Sequence, residues 1–207
     1  MNLQNIKRII GIDVGNLKSG LCVIDDEKII YTAVLNNDHN LYSKIANYSI
    51  HQDITIVIED IKPYTLQLTP QVIDTCKVIG EMIYRLKTEA GMRVEMVSRY
   101  DVKKWVFDSF LETVTPLIEK KIRAKAFPCS LIETKELFYV DVYGRKERKP
   151  SFVYVDDKIV TEAMKVYYGI TKPSAGRGFE FGLKSHGWQA LAVATTYLNI
   201  LNANTAK

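Results

Sequence analysis

The sequence predicts an α/β protein in which helices cover both faces of a β-sheet. Three segments near the start, 6–14, 20–24 and 28–34, are rich in Ile and Val and are separated by Gly, Asn and Asp. This pattern is typical of strands joined by turns, and their close succession favours an antiparallel meander. The later segment 53–60 is apolar at both alternating positions, which indicates a central strand covered on two sides. Helices must therefore flank the sheet.

The pattern changes to a helical period after Thr69. Apolar residues recur at spacings of three and four up to Leu86, and Gly91 is expected to end this long helix. Residues 38–51 also favour a helix, and residues 93–97 favour a further strand. The other predicted helices are one after Ser98 that includes Trp105, one over 116–126, one that Asp156 or Asp157 caps and that runs to Tyr168, and one over 185–202.

Length and composition favour a single soluble domain spanning residues 1–207. The chain is 47% hydrophobic and 25% charged, which is enough apolar material for one complete core. Apolar runs such as 54–58 reach only the length of a strand, whereas a membrane-spanning helix needs about 20 residues. We therefore expect no membrane crossing. No apolar leader precedes Lys7, and we expect a cytoplasmic protein. The three cysteines are too widely spaced for a disulfide framework or a zinc ribbon.

The excess of positive charge is concentrated in one stretch. Residues 118–149 contain nine Lys or Arg and five acids, a surplus that equals the net charge of +4 of the whole chain. A polyanionic partner and a solvated charged loop both account for this bias. Residues 127–155 carry β-branched and aromatic side chains around the turn 143–146, which predicts a basic hairpin insertion.

Two carboxylates stand at the ends of the most apolar predicted strands. Asp13 ends the first strand, shortly before Gly15, and Glu59 ends the segment 53–60. Burying a carboxylate there is costly unless it has a partner, and a divalent cation is one such partner. For Asp13 the alternative is a turn residue before a glycine. Alternation places Glu59 and Asp60 on opposite faces, so only one of them can easily share a site with Asp13.

The last predicted helix presents two polar side chains in its first turn. His186 and Gln189 are three residues apart and therefore lie on one helical face. The opposite side is predicted to pack in the core through Trp188, Leu191, Thr195 and Leu198. A histidine at a helix start is either a ligand or a cap and surface residue.

Taken in order, these motifs resemble the RuvC family of Holliday-junction resolvases, within the RNase H-like superfamily. The motifs are Gly-Ile-Asp-x-Gly at 11–15, Ser-Gly at 19–20, an apolar strand ending in Glu59, a long helix containing Gly80, Val-Lys-Lys at 102–104 and Ala-Leu-Ala-Val-Ala at 190–194. Each motif is weak alone, and their order and spacing carry the resemblance. The insertion 127–155 is not part of the compact family pattern.

The resemblance implies an RNase H-like mixed sheet of five strands, with the antiparallel meander first and helices on both faces. It also implies two divalent ions, Mg²⁺ or Mn²⁺, in each active site. Carried over to the matching positions, Asp13 would bridge the ions, Glu59 would hold one of them, and His186 and Gln189 would supply the remaining ligands. Two ions about 4 Å apart stabilise the attacking and leaving oxygens of a phosphodiester displacement.

Gln189 departs from the family pattern. Members of the family carry an Asp at this place, whereas a neutral amide oxygen coordinates Mg²⁺ without cancelling any of its charge, so weaker metal binding is expected. Asp156, Asp157 and Glu180 are candidates for a substitute acid, although nothing in the sequence places them near the site.

The implied function is a metal-dependent, structure-selective DNA endonuclease that resolves four-way (Holliday) junctions as a homodimer. A two-fold dimer suits a four-way junction because its symmetry places equivalent active sites on opposite strands. In the family, the long helix after the Glu strand helps to form the dimer, which would here involve residues 69–90. Alternatively, the apolar side of this helix packs entirely against the sheet of its own chain. Two other functions stay open: another RNase H-like nuclease that cuts RNA in hybrids or DNA flaps, and a junction-binding protein whose catalysis is weakened at Gln189.

The expected DNA contacts are aromatic or basic. Tyr64 lies where the family places an aromatic residue that stacks on an opened base, and a core-anchoring role behind Pro63 is the alternative. The other expected contacts are Lys103 and Lys104 of the Val-Lys-Lys motif, and Arg145, Lys146, Arg148 and Lys149 of the basic hairpin.

Overall fold

The chain divides into two compact units in the structure, a computed structural model. The first unit comprises Met1–Arg99 and Ile170–Lys207, and the second comprises Tyr100–Gly169. The predicted single domain over residues 1–207 stays a prediction, and the predicted insertion at 127–155 falls within the second unit. The structure describes residues 8–50, 54–61, 69–124, 138–140, 146–148, 155–170 and 185–205.

A five-stranded mixed sheet forms the centre of the first unit. Its strands are β1 (Arg8–Asp13), β2 (Lys18–Asp25), β3 (Lys28–Asn36), β4 (Ile54–Asp60) and β5 (Arg93–Ser98). Their order across the sheet is β3-β2-β1-β4-β5. The first three strands are antiparallel neighbours, whereas β4 is parallel to both β1 and β5. The predicted meander and the predicted mixed sheet are confirmed.

The turn between β2 and β3 explains part of this meander. Asp26 and Glu27 adopt positive φ angles of 45° and 63°. Two consecutive residues in this region form the kind of two-residue turn whose twist matches that of paired antiparallel strands. Asp tolerates this conformation well, whereas Glu27 carries some strain because its Cβ crowds the backbone.

One face of the sheet packs against α1 (His39–Ser49) and α2 (Pro70–Ile83). The α2 helix continues as a π-helical turn over Tyr84–Glu89. The side chain of Asp38 accepts a hydrogen bond at the start of α1, as that of Thr69 does for α2. Gly91, at φ 65°, follows the helix end as predicted. This face buries Ile10, Ile12, Leu21, Val23, Ile56 and Ile58 of the sheet against Leu41, Ile45, Ile79, Met82 and Leu86 of the helices.

The other face of the sheet packs against α6 (Ser185–Thr205). The prediction of a single core-facing stripe on this helix was incomplete, because every residue from 187 to 197 is buried. The buried stretch includes the polar residues Gln189, Thr195 and Thr196 as well as apolar ones. Cys22 lies in the same layer, fully buried, and desolvation raises the pKa of its thiol far above the usual range.

The described residues of the second unit form three helices and a pair of short strands. α3 (Arg99–Ser109) enters it at Tyr100 and is followed by α4 (Leu111–Ala124) and α5 (Asp157–Tyr167). The predicted helix start at Pro116 was wrong: the burial of Val114 and Ile118 extends α4 toward its N-terminus despite the hydrogen bond that proline removes. Asp156, rather than Asp157, caps α5, since it accepts from the backbone N–H of Ile159 at 3.1 Å. Within the predicted basic hairpin, the structure describes two antiparallel strands, β6 (Phe138–Val140) and β7 (Lys146–Arg148), and Lys146, predicted in the turn, begins β7.

Membrane insertion has no support in the described helices. None of them is long and apolar enough to cross a bilayer.

Candidate active site

Asp13 and Glu59 lie side by side at the ends of neighbouring strands. β1 and β4 are parallel, and Ile12 is directly opposite Ile58. The next residue of each strand, Asp13 and Glu59, therefore points to the other face, which is the face that α6 covers. Both carboxylates are buried, with side-chain exposures of 6% and 3%. Alternation alone allowed only one of Glu59 and Asp60 to share a site with Asp13, and this register identifies it as Glu59.

Two glycines allow α6 to approach the strands closely enough to form this site. A Cβ built on Gly11 would lie 2.3 Å from the carbonyl oxygen of Ala190, and one on Gly20 would lie 1.9 Å from that of His186. Since real side chains never tolerate such distances, only glycine fits at either position. Gly20 is also the direct partner of Asp13 across β1 and β2. The backbone of His186 therefore packs against Gly20 of β2, directly beside Asp13 of β1.

His186 and Asp13 form a hydrogen-bonded pair. Nδ1 of the imidazole is 2.6 Å from Oδ2 of the carboxylate, although the two residues are 173 positions apart. An ionised carboxylate only accepts, so Nδ1 donates its hydrogen in this pair, and the other ring nitrogen, Nε2, is not engaged by Asp13. The imidazole is 44% exposed. His186 therefore presents a half-exposed ring whose orientation is fixed by a buried acid.

The loop after Asp13 is braced by Asn37. The side chain of Asn37 accepts from the hydroxyl of Ser19 at 2.5 Å and donates to the carbonyl oxygen of Gly15 at 2.7 Å. A Cβ on Gly15 would lie 3.6 Å from Cε1 of His186, so this loop borders the imidazole. The sequence analysis did not identify Asn37, because its role depends on the pairing of β2 with β3.

Gln189 is buried in α6, one helical turn beyond His186. The small residues Ala190 and Ala194 occupy the side of the helix that contacts β1, as the Gly11 contacts show. The sequence analysis placed His186 and Gln189 together on one face of this helix. Their assignment as metal ligands stays a prediction.

Arg99 is a member of the site that the sequence analysis missed. It follows β5 directly, and β5 is the parallel neighbour of β4, with Val97 opposite Glu59. Nη1 of Arg99 is 3.6 Å from Oε2 of Glu59. A basic residue just after a strand is a recognisable signal only once the strand order is known.

The donor set at the strand ends fits a divalent cation in its chemistry. Carboxylate and amide oxygens suit Mg²⁺, and an added imidazole nitrogen suits Mn²⁺ as well. Two carboxylates this deeply buried on adjacent strands also need positive charge nearby. In the part of the chain that the structure describes, no three His, Cys, Asp or Glu side chains are clustered as a ready-made metal cage. Asp13 and Glu59 are instead engaged by His186 and Arg99.

The expected DNA contacts are only partly within the described residues. Lys103 and Lys104 lie in α3, and Lys104 donates to Asp108 at 2.6 Å, a hydrogen bond that raises the pKa of the lysine. Lys146 and Arg148 lie in β7. The remaining residues, Tyr64, Arg145 and Lys149, lie outside the described residues, as does Glu180.

Comparison with known proteins identifies the fold. No protein-family model and no curated protein matches the sequence. Among solved structures, RuvC of Thermus thermophilus in complex with a Holliday junction substrate covers 96% of both chains, with a TM-score of 0.52 and 14% identity. A second structure of Thermus thermophilus RuvC has the same coverage and identity and a TM-score of 0.50. The yeast mitochondrial Holliday junction resolvase Ydc2 covers 96% of this chain and 81% of its own, with a TM-score of 0.42 and 11% identity. The chain therefore has the RNase H-like fold of RuvC, as its sequence motifs predicted.

Proposed function

We propose that this protein is a metal-dependent endonuclease that cleaves branched DNA, with four-way junctions as its principal substrate. The observation that carries the proposal is the pair of buried carboxylates, Asp13 and Glu59, at the ends of adjacent parallel strands under the first turn of α6. Further support comes from the shared fold with RuvC, one structure of which contains a Holliday junction substrate. A homodimer suits this substrate for the symmetry reason given above.

The proposed mechanism assigns Asp13, Glu59, His186 and Gln189 to two Mg²⁺ or Mn²⁺ ions. When bound, these ions activate water and stabilise the attacking and leaving oxygens of the phosphodiester. Asp13 holds the imidazole of His186 in one orientation through the hydrogen bond at Nδ1. Gln189 contributes no charge, which is the one feature that favours a second function, a junction-binding protein with weakened catalysis.

The first test measures cleavage of a four-way junction, an RNA–DNA hybrid and a DNA flap, each with Mg²⁺ and with Mn²⁺. We expect cleavage of the junction first. Asp13→Asn should abolish cleavage and leave junction binding intact or tighter, because it removes a ligand and a negative charge without changing volume. The matched control is Asp74→Asn, whose carboxylate is exposed and pairs with Lys77 on α2.

Each outcome of this panel is decisive. Normal cutting by Asp13→Asn would mean that the active site is elsewhere. Preferred cutting of the hybrid or the flap would identify a different RNase H-like nuclease. Tight junction binding without cleavage under either metal would favour the binding protein.

A further inference from the structure

The carboxylate of Glu59, which is buried, forms an ion pair with Arg99, which is partly exposed. Oε2 of Glu59 is 3.6 Å from Nη1 of Arg99, and the two side chains are 3% and 36% exposed. The carboxylate is therefore held within the sheet layer, whereas the side chain of Arg99 is partly exposed. Of the two partners, only Arg99 can leave without exposing the interior.

This contact matters because Glu59 is one of the proposed metal ligands. An arginine side chain remains charged at any pH at which proteins are studied, and its five N–H groups have no lone pair with which to bind a metal. In this it differs from His186, whose imidazole is itself a metal ligand type. The permanent positive charge of Arg99 therefore repels a cation that approaches Glu59. The guanidinium cannot itself become a ligand of that cation.

We propose that Arg99 is a positioning residue that compensates the charge of Glu59 in the metal-free protein and competes with the metal ion for that carboxylate. Metal binding at Glu59 turns the guanidinium outward into solvent. This inference rests on the proposed metal site. It adds to that site a counter-ion from the chain itself, which raises the Kd for the metal ion.

The experiment measures Mn²⁺ affinity at pH 8, from the electron paramagnetic resonance signal of the free ion. Arg99→Gln removes the competitor, so its Kd for Mn²⁺ should fall about fivefold, the equivalent of about 1 kcal/mol for a partly exposed ion pair. Arg99→Lys keeps the charge and should stay close to the unmodified protein. The matched control is Arg85→Gln, which breaks an exposed pair with Glu81 on α2 and should leave the Kd unchanged.

Thermal unfolding gives a second readout that does not depend on activity. In EDTA, Arg99→Gln should melt at a lower temperature than the unmodified protein, because Glu59 is left as a buried charge without its guanidinium. Saturating Mn²⁺ should then raise its melting temperature by more than it raises that of the unmodified protein, since tighter binding to the native state stabilises it more. Equal or weaker Mn²⁺ affinity of Arg99→Gln, with an equal shift on adding metal, would overturn the proposal.

The variant Glu59→Gln distinguishes an error in the role of Arg99 from an error in the proposed metal site. If this variant binds Mn²⁺ more weakly while Arg99→Gln does not bind it more tightly, the competitor role is wrong and the metal site stands. If Glu59→Gln has unchanged Mn²⁺ affinity, the proposed metal site at Glu59 is wrong and the role of Arg99 falls with it.

Discussion

The residue whose chemistry most affects the proposed metal site is Gln189. It is buried one turn beyond His186, and its side chain is neutral. A divalent ion held by an imidazole and an amide keeps more of its charge than one held by a carboxylate, so its affinity is lower. Mn²⁺ accepts imidazole nitrogen more readily than Mg²⁺ does, and we expect faster cleavage with Mn²⁺ at low metal concentration.

Replacing Gln189 by Asp should lower the metal concentration needed for the half-maximal cleavage rate, because it adds the missing negative charge at nearly the same place. His186→Ala should raise that concentration, since it removes a proposed ligand. Titrations of Mg²⁺ and Mn²⁺ against the cleavage rate measure both effects. Asn204→Asp, the same change of charge near the exposed end of α6, is the control. An unchanged metal dependence in both variants would remove this helix from the metal site.

Local sequence patterns identified some residues of the site and missed others for a physical reason. Asp13 and Glu59 were found because a carboxylate that ends an apolar strand is unusual in itself. Arg99 and Asn37 were missed because their partners are not their neighbours in sequence and are brought close to them only by strand pairing. The register that brings Arg99 beside Glu59 and Asn37 beside Gly15 is absent from the local pattern of either residue.

At the level of elements, the fit of α6 to the sheet depends on glycine in β1 and β2. Gly20→Ala should destabilise the protein by about 3 kcal/mol or more, because the new methyl group would meet the backbone oxygen of His186. The forced displacement of α6 should also reduce cleavage. Urea unfolding and the junction assay measure the two effects.

Gly80→Ala is the matched control for this substitution. Gly80 lies within α2, and a Cβ there has no atom within 4 Å. Alanine is favoured over glycine in a helix, so this variant should be about 0.5–1 kcal/mol more stable than the unmodified protein. A neutral Gly20→Ala would contradict the close docking of α6.

The elements themselves were predictable to different degrees. The strands of the meander and β4 were clear because β-branched residues and turn residues alternate sharply. The start of α4 was misjudged because the rule that places proline at a helix start ignores the tertiary burial of Val114. The side of α6 that contacts the strands was missed because it is recognised only by the close approach of the helix to Gly11 and Gly20.

For the whole molecule, the uneven distribution of charge predicts how DNA binding responds to salt. Reversing the charge of Arg145, Lys146, Arg148 and Lys149 should weaken junction binding and reduce the log–log salt slope by about one unit for each lost phosphate contact. Binding measured at several salt concentrations tests this. The control reverses four exposed or partly exposed lysines outside the basic segment: Lys28, Lys77, Lys158 and Lys165. If both sets change the slope equally, the hairpin acts only through net charge; an unchanged slope would make it a solvated loop.

The separation of 173 positions between Asp13 and His186 has a consequence for biosynthesis. Chains fold from the N-terminus as the ribosome extends them, and contacts distant in sequence form late. The five strands can pair while α6 is still untranslated, and Arg99 is then available to Glu59 although His186 is not available to Asp13. The face of the sheet that α6 covers, with Ile9, Cys22 and Val57, stays uncovered by α6 until then. Before α6 is synthesised, Asp13 lacks His186, and the proposed active site is incomplete.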